Sequence, residues 1–306
     1  MAEKVKVAFL GPVATYTHQA TKTAFPEGEE KYEFVPTNTI RDVFDHVQSS
    51  QTTFGVVPFE NSTHGVVSFT LDALADRDSS LEDISICGEV YMDIHHYLLG
   101  YHSRPGDEGL GHIKRIYSHP QAFGQTIQFR RKNLSREVEV IDVASTSKAA
   151  EIAAQDKTGE SAAIAGRLAG EENGLEVLRG CIEDREDNTT RFFVIRRKDG
   201  PTYGAGEEGG EYKSLVSFTV SSHETPGALA NVLGCFKQRG LNLSSINSVP
   251  GLRRGQRAFE YLFFVEFEGC LGDGDREGRV KGVMEDLGRE TSGWRLLGGW
   301  KNGRGR

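Results

Sequence analysis

The chain has 306 residues, and its 36 Lys+Arg against 44 Asp+Glu give a formal net charge of -8. That is long enough for two or three domains and, without any basic stripe, argues against nucleic-acid binding. A hydrophobic fraction of 37% supports sizeable cores, and four cysteines without C-x-x-C spacing indicate neither a zinc site nor a disulfide framework. No apolar run approaches the roughly 20 residues of a membrane span, and the strand-like "KVKVAFLG" at the start leaves no room for a signal peptide, so a cytoplasmic protein is expected.

Taken in chain order, "VKVAFLG", "YEFVP" and "FGVVPFEN" read as strands alternating with helices. Helix "TNTIRDVFDHV" carries Ile40, Val43, Phe44 and Val47 on one face, with Thr39 and Asp42 placed for a capping box. A further helix runs through Val66, Phe69, Leu71 and Leu74, and the βαβ rhythm predicts one α/β lobe with a largely parallel sheet. A second series follows: "DISICGEVYMDIHHYLLG", "IKRIYSH", a helix "PQAFGQTIQFRRKN", "VEVIDV", a helix "TSKAAEIAAQDK" and "SAAIAG". The last strand, "TRFFVIRR", can return the chain to the first lobe, leaving a cleft between the two. Residues 196–214, "RRKDGPTYGAGEEGGEYKS", read as a linker. Beyond it the pattern is βαββαβ, a small α+β domain ending in a short strand near Trp294. Its first helix has Thr225 as N-cap, Pro226 at the first position and Gly240 at the end.

Ligands of open α/β sheets gather at the carboxyl ends of strands, and three stretches lie there. In "GPVATYTHQA", Thr15, Tyr16 and Thr17 bring hydroxyls to a helix start, either as an ordinary capped turn or as an anion site. In "VVPFENSTHG", Glu60, Asn61, Ser62 and Thr63 supply four polar side chains where capping needs one, which favours a functional reading. In "NTTRFFVIRR", Arg191 is either a solvated surface arginine or, if the strand is central, a group at the cleft edge that needs an anionic partner. His95 and His96, as strand neighbours, face opposite ways and cannot chelate one metal together.

The combination "GPVATYTHQA", "VVPFENSTHG", "YSHPQAFGQ", "ASTSKAA" and "NTTRFFVI", followed by the βαββαβ module, resembles prephenate dehydratase with a C-terminal ACT domain over nearly the whole chain. The resemblance implies an α/β fold: a two-lobed, periplasmic-binding-protein-like catalytic domain over 1–197 and a ferredoxin-like ACT domain over 214–300, joined by a linker over 198–213. The lobes would be roughly 1–80 with 185–197, and 81–184. It implies loss of carbon dioxide and water from prephenate to give phenylpyruvate, with no metal or other cofactor. In that reading Thr190 hydrogen-bonds or protonates the leaving hydroxyl, Arg191 clamps a carboxylate, Phe192 packs behind them, and Glu60 or His119 supplies the proton. Asn61, Ser62, Thr63 and Thr15 would position substrate, and Ser118, His119, Gln121, Ser145 and Thr146 would line the second lobe.

For regulation, Pro226, Gly227, Ala228 and Leu229 match the family's phenylalanine site, while Asn247, Ser248, Val249 and Pro250 replace the usual Glu-Ser-Arg-Pro and lose both charges. A homodimer or homotetramer with phenylalanine as effector is implied, with no nucleic-acid or membrane partner. Ala14 stands where the family commonly has glycine and is strained if its φ is positive. Arogenate dehydratase and a non-catalytic amino-acid sensor are the alternative functions.

Overall fold

Strand-forming runs and the helices that cover them follow the sequence closely, in a computed structural model that describes residues 4–102, 109–204, 210–220, 226–251 and 260–304. The first lobe is built from β1 (Val5–Leu10), α1 (Tyr16–Ala24), α2 (Gly28–Lys31), β2 (Tyr32–Thr37), α3 (Ile40–Gln48), β3 (Phe54–Asn61), β4 (Gly65–Val66), α4 (Ser68–Ala75) and β5 (Ile84–Asp93). The second holds β6 (Tyr97–Gly100), β7 (Arg115–Ser118), α5 (Pro120–Gly124), α6 (Ile127–Asn133), β8 (Glu139–Asp142), α7 (Thr146–Gln155), β9 (Ser161–Ala165), α8 (Arg167–Asn173) and β10 (Glu176–Arg179). β11 (Thr189–Arg197) then re-enters the first lobe, pairing antiparallel with both β3 and β5. The C-terminal unit is β12 (Tyr212–Val220), α9 (Ala228–Gln238), β13 (Leu243–Pro250), β14 (Tyr261–Glu268), α10 (Glu277–Glu290) and β15 (Thr291–Lys301).

Helix starts obey their local chemistry. Thr39 and Asp42 form the expected reciprocal capping box on α3. α7 turns Ala149, Ala150 and Ala153 onto the small residues of β9, and this alanine face lets helix and strand approach closely. The expected single helix over 120–133 is two, because the Asp184 carboxylate accepts from the amides of Ile127 and Gln128, both at 2.9 Å, and starts α6 afresh. Phe69, expected on the apolar face of α4, is 73% exposed. The Thr225 cap lies outside the described residues.

The lobe boundary also moves. The run "DISICGEVYMDIHHYLLG" is two strands broken at Ile94, His95 and His96, and its first half, β5, belongs to the first sheet. The final strand is long rather than short, and β15 sits between β12 and β5, so the C-terminal unit and the first lobe share one ten-stranded sheet. The seam is a single parallel bridge, Gly298 to Ile86. A common core crosses it, in which Leu262, Phe264, Leu297 and Trp300 pack with Phe59, Ile86 and Phe193. The stretch read as a linker is partly anchored as well, since the Tyr203 hydroxyl donates to the Ala24 carbonyl and its ring covers Gly88, where a Cβ would meet it at 2.3 Å.

Gly298 is required at the seam because its φ is +152° and a Cβ there would lie 2.1 Å from the Ile86 carbonyl oxygen. Gly298→Ala is expected to lower stability by about 2–4 kcal/mol through overpacking and backbone strain. Gly293→Ala, whose Cβ meets nothing closer than 3.9 Å, should be neutral or stabilising. Denaturant unfolding of the two variants checks this, and equal midpoints would refute it.

Candidate active site

The cleft between the lobes has a volume of about 370 Å³ and is formed where strand ends and helix starts converge. From the first lobe come the start of α1 and the ends of β3 and β11, and from the second the starts of α5 and α7. Each helix start is capped by a side chain the sequence singled out. Thr15 Oγ1 accepts from the His18 amide, His119 Nδ1 from the Gln121 amide, and Ser145 Oγ from the Lys148 amide. The remaining first-turn amides of α1 and α7, on opposite lobes, belong to helix ends that favour negative charge.

Asn61 organises the floor. Its Oδ1 accepts from the amides of Thr63 and His64, both at 3.0 Å, and this fixes which end of the amide points inward. Nδ2 then donates to Thr190 Oγ1 at 2.9 Å and to Asn188 Oδ1 at 2.8 Å. With its oxygen accepting from Asn61, the Thr190 hydroxyl is left to donate its own proton into the cleft. Such a donated bond also stabilises negative charge on Oγ1. Phe192 lies next to it on the same face, 1% exposed.

A hydrogen-bonded chain crosses the cleft. The Tyr16 hydroxyl is 2.7 Å from His96 Nδ1, and His96 Nε2 is 2.7 Å from Gln125 Oε1. Nε2 donating to Gln125 leaves Nδ1 as acceptor for Tyr16. Burial lowers the His96 pKa and keeps the ring neutral, and burial, with Glu183 nearby, raises that of Tyr16. Beside this chain, Glu183 accepts from the His96 amide at 2.9 Å and faces His95 Nδ1 at 2.7 Å. Burial works against the Glu183 carboxylate, but these bonds outweigh it and lower its pKa. Among the described residues, His95, Cys181 and Glu183 could hold a metal, with ligand atoms within 4.8 Å of one another. Both carboxylate oxygens of Glu183 are already engaged, so the trio reads as a clasp between the two segments that cross from lobe to lobe.

Several expected site residues lie elsewhere. Arg191 is buried on the opposite face of β11 from Thr190, because successive strand residues alternate. It contacts Glu89 and Glu266 and is a clamp on no group in the cleft. Glu60 is in register with Arg191 and shares that far side, which removes it as a proton source. Ser62 accepts from the Thr189 amide and donates to the Asp187 carbonyl, and Thr63 bonds Asn61. Ser118 is fully buried and donates to the Ile164 carbonyl. Thr15, Asn61, His119, Gln121, Ser145, Thr146, Thr190 and Phe192 do meet in the cleft. His96, Gln125 and Asn188 were not among the expected site residues. The one sequence signal for His96 was a polar pair interrupting an apolar run.

Ala14 does have a positive φ, 66°. Its amide donates to His18 Nδ1 at 3.0 Å, and the His18 ring stacks on Phe9, so a neutral histidine secures the left-handed turn.

Among the described lining residues of the cleft there is no lysine or arginine. No described helix is long and apolar enough to cross a membrane.

A family model for prephenate dehydratase matches residues 7–200. The bifunctional chorismate mutase/prephenate dehydratase of Aquifex aeolicus is 36% identical over 301 residues, covering 98% of this chain and 74% of that protein. The prephenate dehydratase of Methanocaldococcus jannaschii is 34% identical over 292 residues, 95% of this chain and 96% of that one. A solved prephenate dehydratase from Arthrobacter aurescens, in complex with L-Phe, superposes with a TM-score of 0.80 at 29% identity, over 98% of this chain and 90% of that one. With its motifs in order and its cleft assembled from them, the chain belongs to the prephenate dehydratase family.

Proposed function

We propose that this chain converts prephenate to phenylpyruvate with Thr190 as the hydroxyl that meets the leaving group. The observation that carries this reading is the Asn61 amide donating to Thr190 Oγ1, which frees the threonine proton for the cleft. As the bond between the ring and its carboxylate breaks, carbon dioxide departs and the electron pair enters the ring. The C–O bond at the para carbon breaks as that pair forms the new ring double bond, the oxygen leaves with the C–O pair and takes the Thr190 proton to become water, and Oγ1 regains a proton from solvent. Aromatisation drives both steps. Asn61 stabilises charge developing on Oγ1, as an oxyanion donor does. Of the two proton sources considered from sequence, Glu60 lies on the far face, and His119, whose Nδ1 accepts from the Gln121 amide, is assigned a hydrogen-bonding role through Nε2–H, the proton consumed coming from solvent.

The lack of a cation in the described lining suits this chemistry. A guanidinium on the ring carboxylate would stabilise the reactant and lose its partner as neutral carbon dioxide forms, which lowers no barrier. Helix-start amides of α1 and α7 hold carboxylates more weakly and are the groups assigned to them here.

The C-terminal unit is read as an ACT regulatory module, with phenylalanine as effector and a homodimer or homotetramer as the assembly. Support comes from its β12-α9-β13-β14-α10-β15 order and from the L-Phe-bound relative. Pro226, Gly227, Ala228 and Leu229 form the entry to α9, where Gly227 has a φ of +85°. Asn247, Ser248 and Pro250 lie on β13, and Asn247 Nδ2 donates within its strand to Ser245 Oγ. Without the usual glutamate and arginine there, phenylalanine should bind this chain more weakly than it binds relatives that keep them.

Turnover of prephenate and arogenate by the purified full chain tests the reading. Thr190→Ala and Asn61→Ala should each reduce kcat about 10²–10³-fold, and Thr190→Ser should retain part of it. Arogenate consumption without prephenate turnover would reassign the substrate, and turnover of neither by folded protein would leave a sensor.

A pH effect follows from the buried histidines. Burial lowers the pKa of both His18 and His96 below the ordinary 6.5. Below 6.5 the unfolded chain therefore binds more protons than the folded one, and stability is lost as pH falls from 6.5 toward the folded-state values. Thermal melting at decreasing pH should show this decline, and a His96→Gln variant should show a shallower one.

A further inference from the structure

Arg191 stands one peptide from Thr190, yet its guanidinium is buried in the seam between the first lobe and the C-terminal unit. Nε donates to Glu89 Oε2 at 2.7 Å and Nη2 to Glu266 Oε2 at 2.5 Å. Lys213 Nζ lies 3.4 Å from Glu89 Oε1 and 3.5 Å from Glu266 Oε1. Two cations and two carboxylates thus neutralise one another, with the Glu89 side chain 0% and that of Glu266 2% exposed. Glu89 belongs to β5, while Glu266 and Lys213 come from β14 and β12 of the C-terminal unit. Glu266 is itself held by Ser244 of β13, whose Oγ donates to Oε1 at 2.7 Å. The guanidinium also lies over the rings of Phe193 and Phe59, at 4.9 and 5.4 Å.

Adhesion alone does not call for this arrangement, since apolar residues of similar volume join two units at least as well as a buried charge cluster. What the cluster adds is a defined geometry, and it adds it where the backbone needs it. The ladder between β11 and β3 slips between Arg191 and Phe192, so on the Asn61 side the register is irregular, and regular pairing holds the chain there only through β5.

We propose that Arg191 and Glu266 are positioning residues for Thr190, so that the C-terminal unit sets the aim of the active-site hydroxyl through one ion pair across the seam. This rests on the reading of Thr190 as the group that meets the substrate. Displacement of Glu266 moves the Arg191 backbone, and with it the oxygen that Asn61 holds on the other face.

A double-mutant cycle on the full chain tests it, with kcat and KM for prephenate measured alongside melting temperature. Glu266→Gln should lower kcat about tenfold or more with KM within about twofold, and Ser244→Ala, which leaves no buried charge unpaired, should do so by a smaller factor. In the Thr190→Ala background neither change should lower the residual kcat further, because the hydroxyl to be aimed is gone. Equal losses in both backgrounds, or a lower melting temperature with unchanged kcat in both variants, would mean that the cluster only holds the units together. Wild-type turnover by Thr190→Ala would instead overturn the role of Thr190 itself, and this inference with it. If Glu266→Gln does not fold, the Ser244→Ala arm of the cycle decides alone.

Discussion

A pleated strand must send neighbouring side chains to opposite faces, and in β11 that constraint divides the molecule's tasks. Thr190 and Phe192 face the cleft, and Arg191 and Phe193 face the seam with the C-terminal unit. The same strand lies between β3 and β5 in the ten-stranded sheet, so it can move little without disturbing both neighbours. Removing one member of a buried ion pair typically costs about 3–5 kcal/mol, because the charge left behind has lost its solvation and its partner. The Arg191 cluster is therefore a strong constraint on where β11 sits, even if it adds little net stability.

The opposite face is governed by the absence of charge. Burying a carboxylate requires donors, and the donors that converge here are helix-start amides and neutral side chains, arranged on two lobes. An amide has no charge to strand when a carboxylate leaves as carbon dioxide, whereas a buried guanidinium would be left with none of its partners. The cleft and the seam thus solve two different electrostatic problems on the two sides of one strand. In the cleft a substrate's charge must be held and then given up, and in the seam four permanent charges cancel.

Where local chemistry decided structure, the sequence was readable. Thr39 with Asp42 form the expected capping box, Thr15 caps α1 as the ordinary reading of its turn had it, and the βαββαβ order of the C-terminal unit follows its apolar pattern. The orientation of Arg191 was not readable, because the apolar run after it is buried on both faces and shows no alternation to say which side is the cleft. Alternation alone says that Thr190 and Arg191 part company, and the expectation that both act on substrate overlooked it. Glu89 and Glu266 gave no local sign of their role either, since what joins them to Arg191 is the pairing of strands far apart in sequence. His96 was set aside as half of an unsuitable metal pair. Its contact with Tyr16 spans 80 residues and exists only because the chain crosses between lobes at that point.

The crossing segments define what a change of lobe angle can alter. The Ile94 amide donates to the Asn188 carbonyl at 2.7 Å and the Ile182 amide to the His96 carbonyl at 2.9 Å, so the outgoing and returning chains are bonded to each other. Glu183 reinforces them through His95 and His96. Thr190 and Asn61 lie on the first-lobe side of this crossing and are bonded to each other, so their geometry is independent of the angle between lobes. The starts of α1 and α7 are on opposite sides, and their separation depends on it directly. Rotation about the crossing therefore changes the distance between the two helix starts while Thr190 and Asn61 keep their places relative to each other. A displacement of β11 itself does reach Thr190, and Arg191 on that strand is one of the groups, with Glu89 of β5 and Asp76 beyond α4, through which charge ties the C-terminal unit to the first lobe.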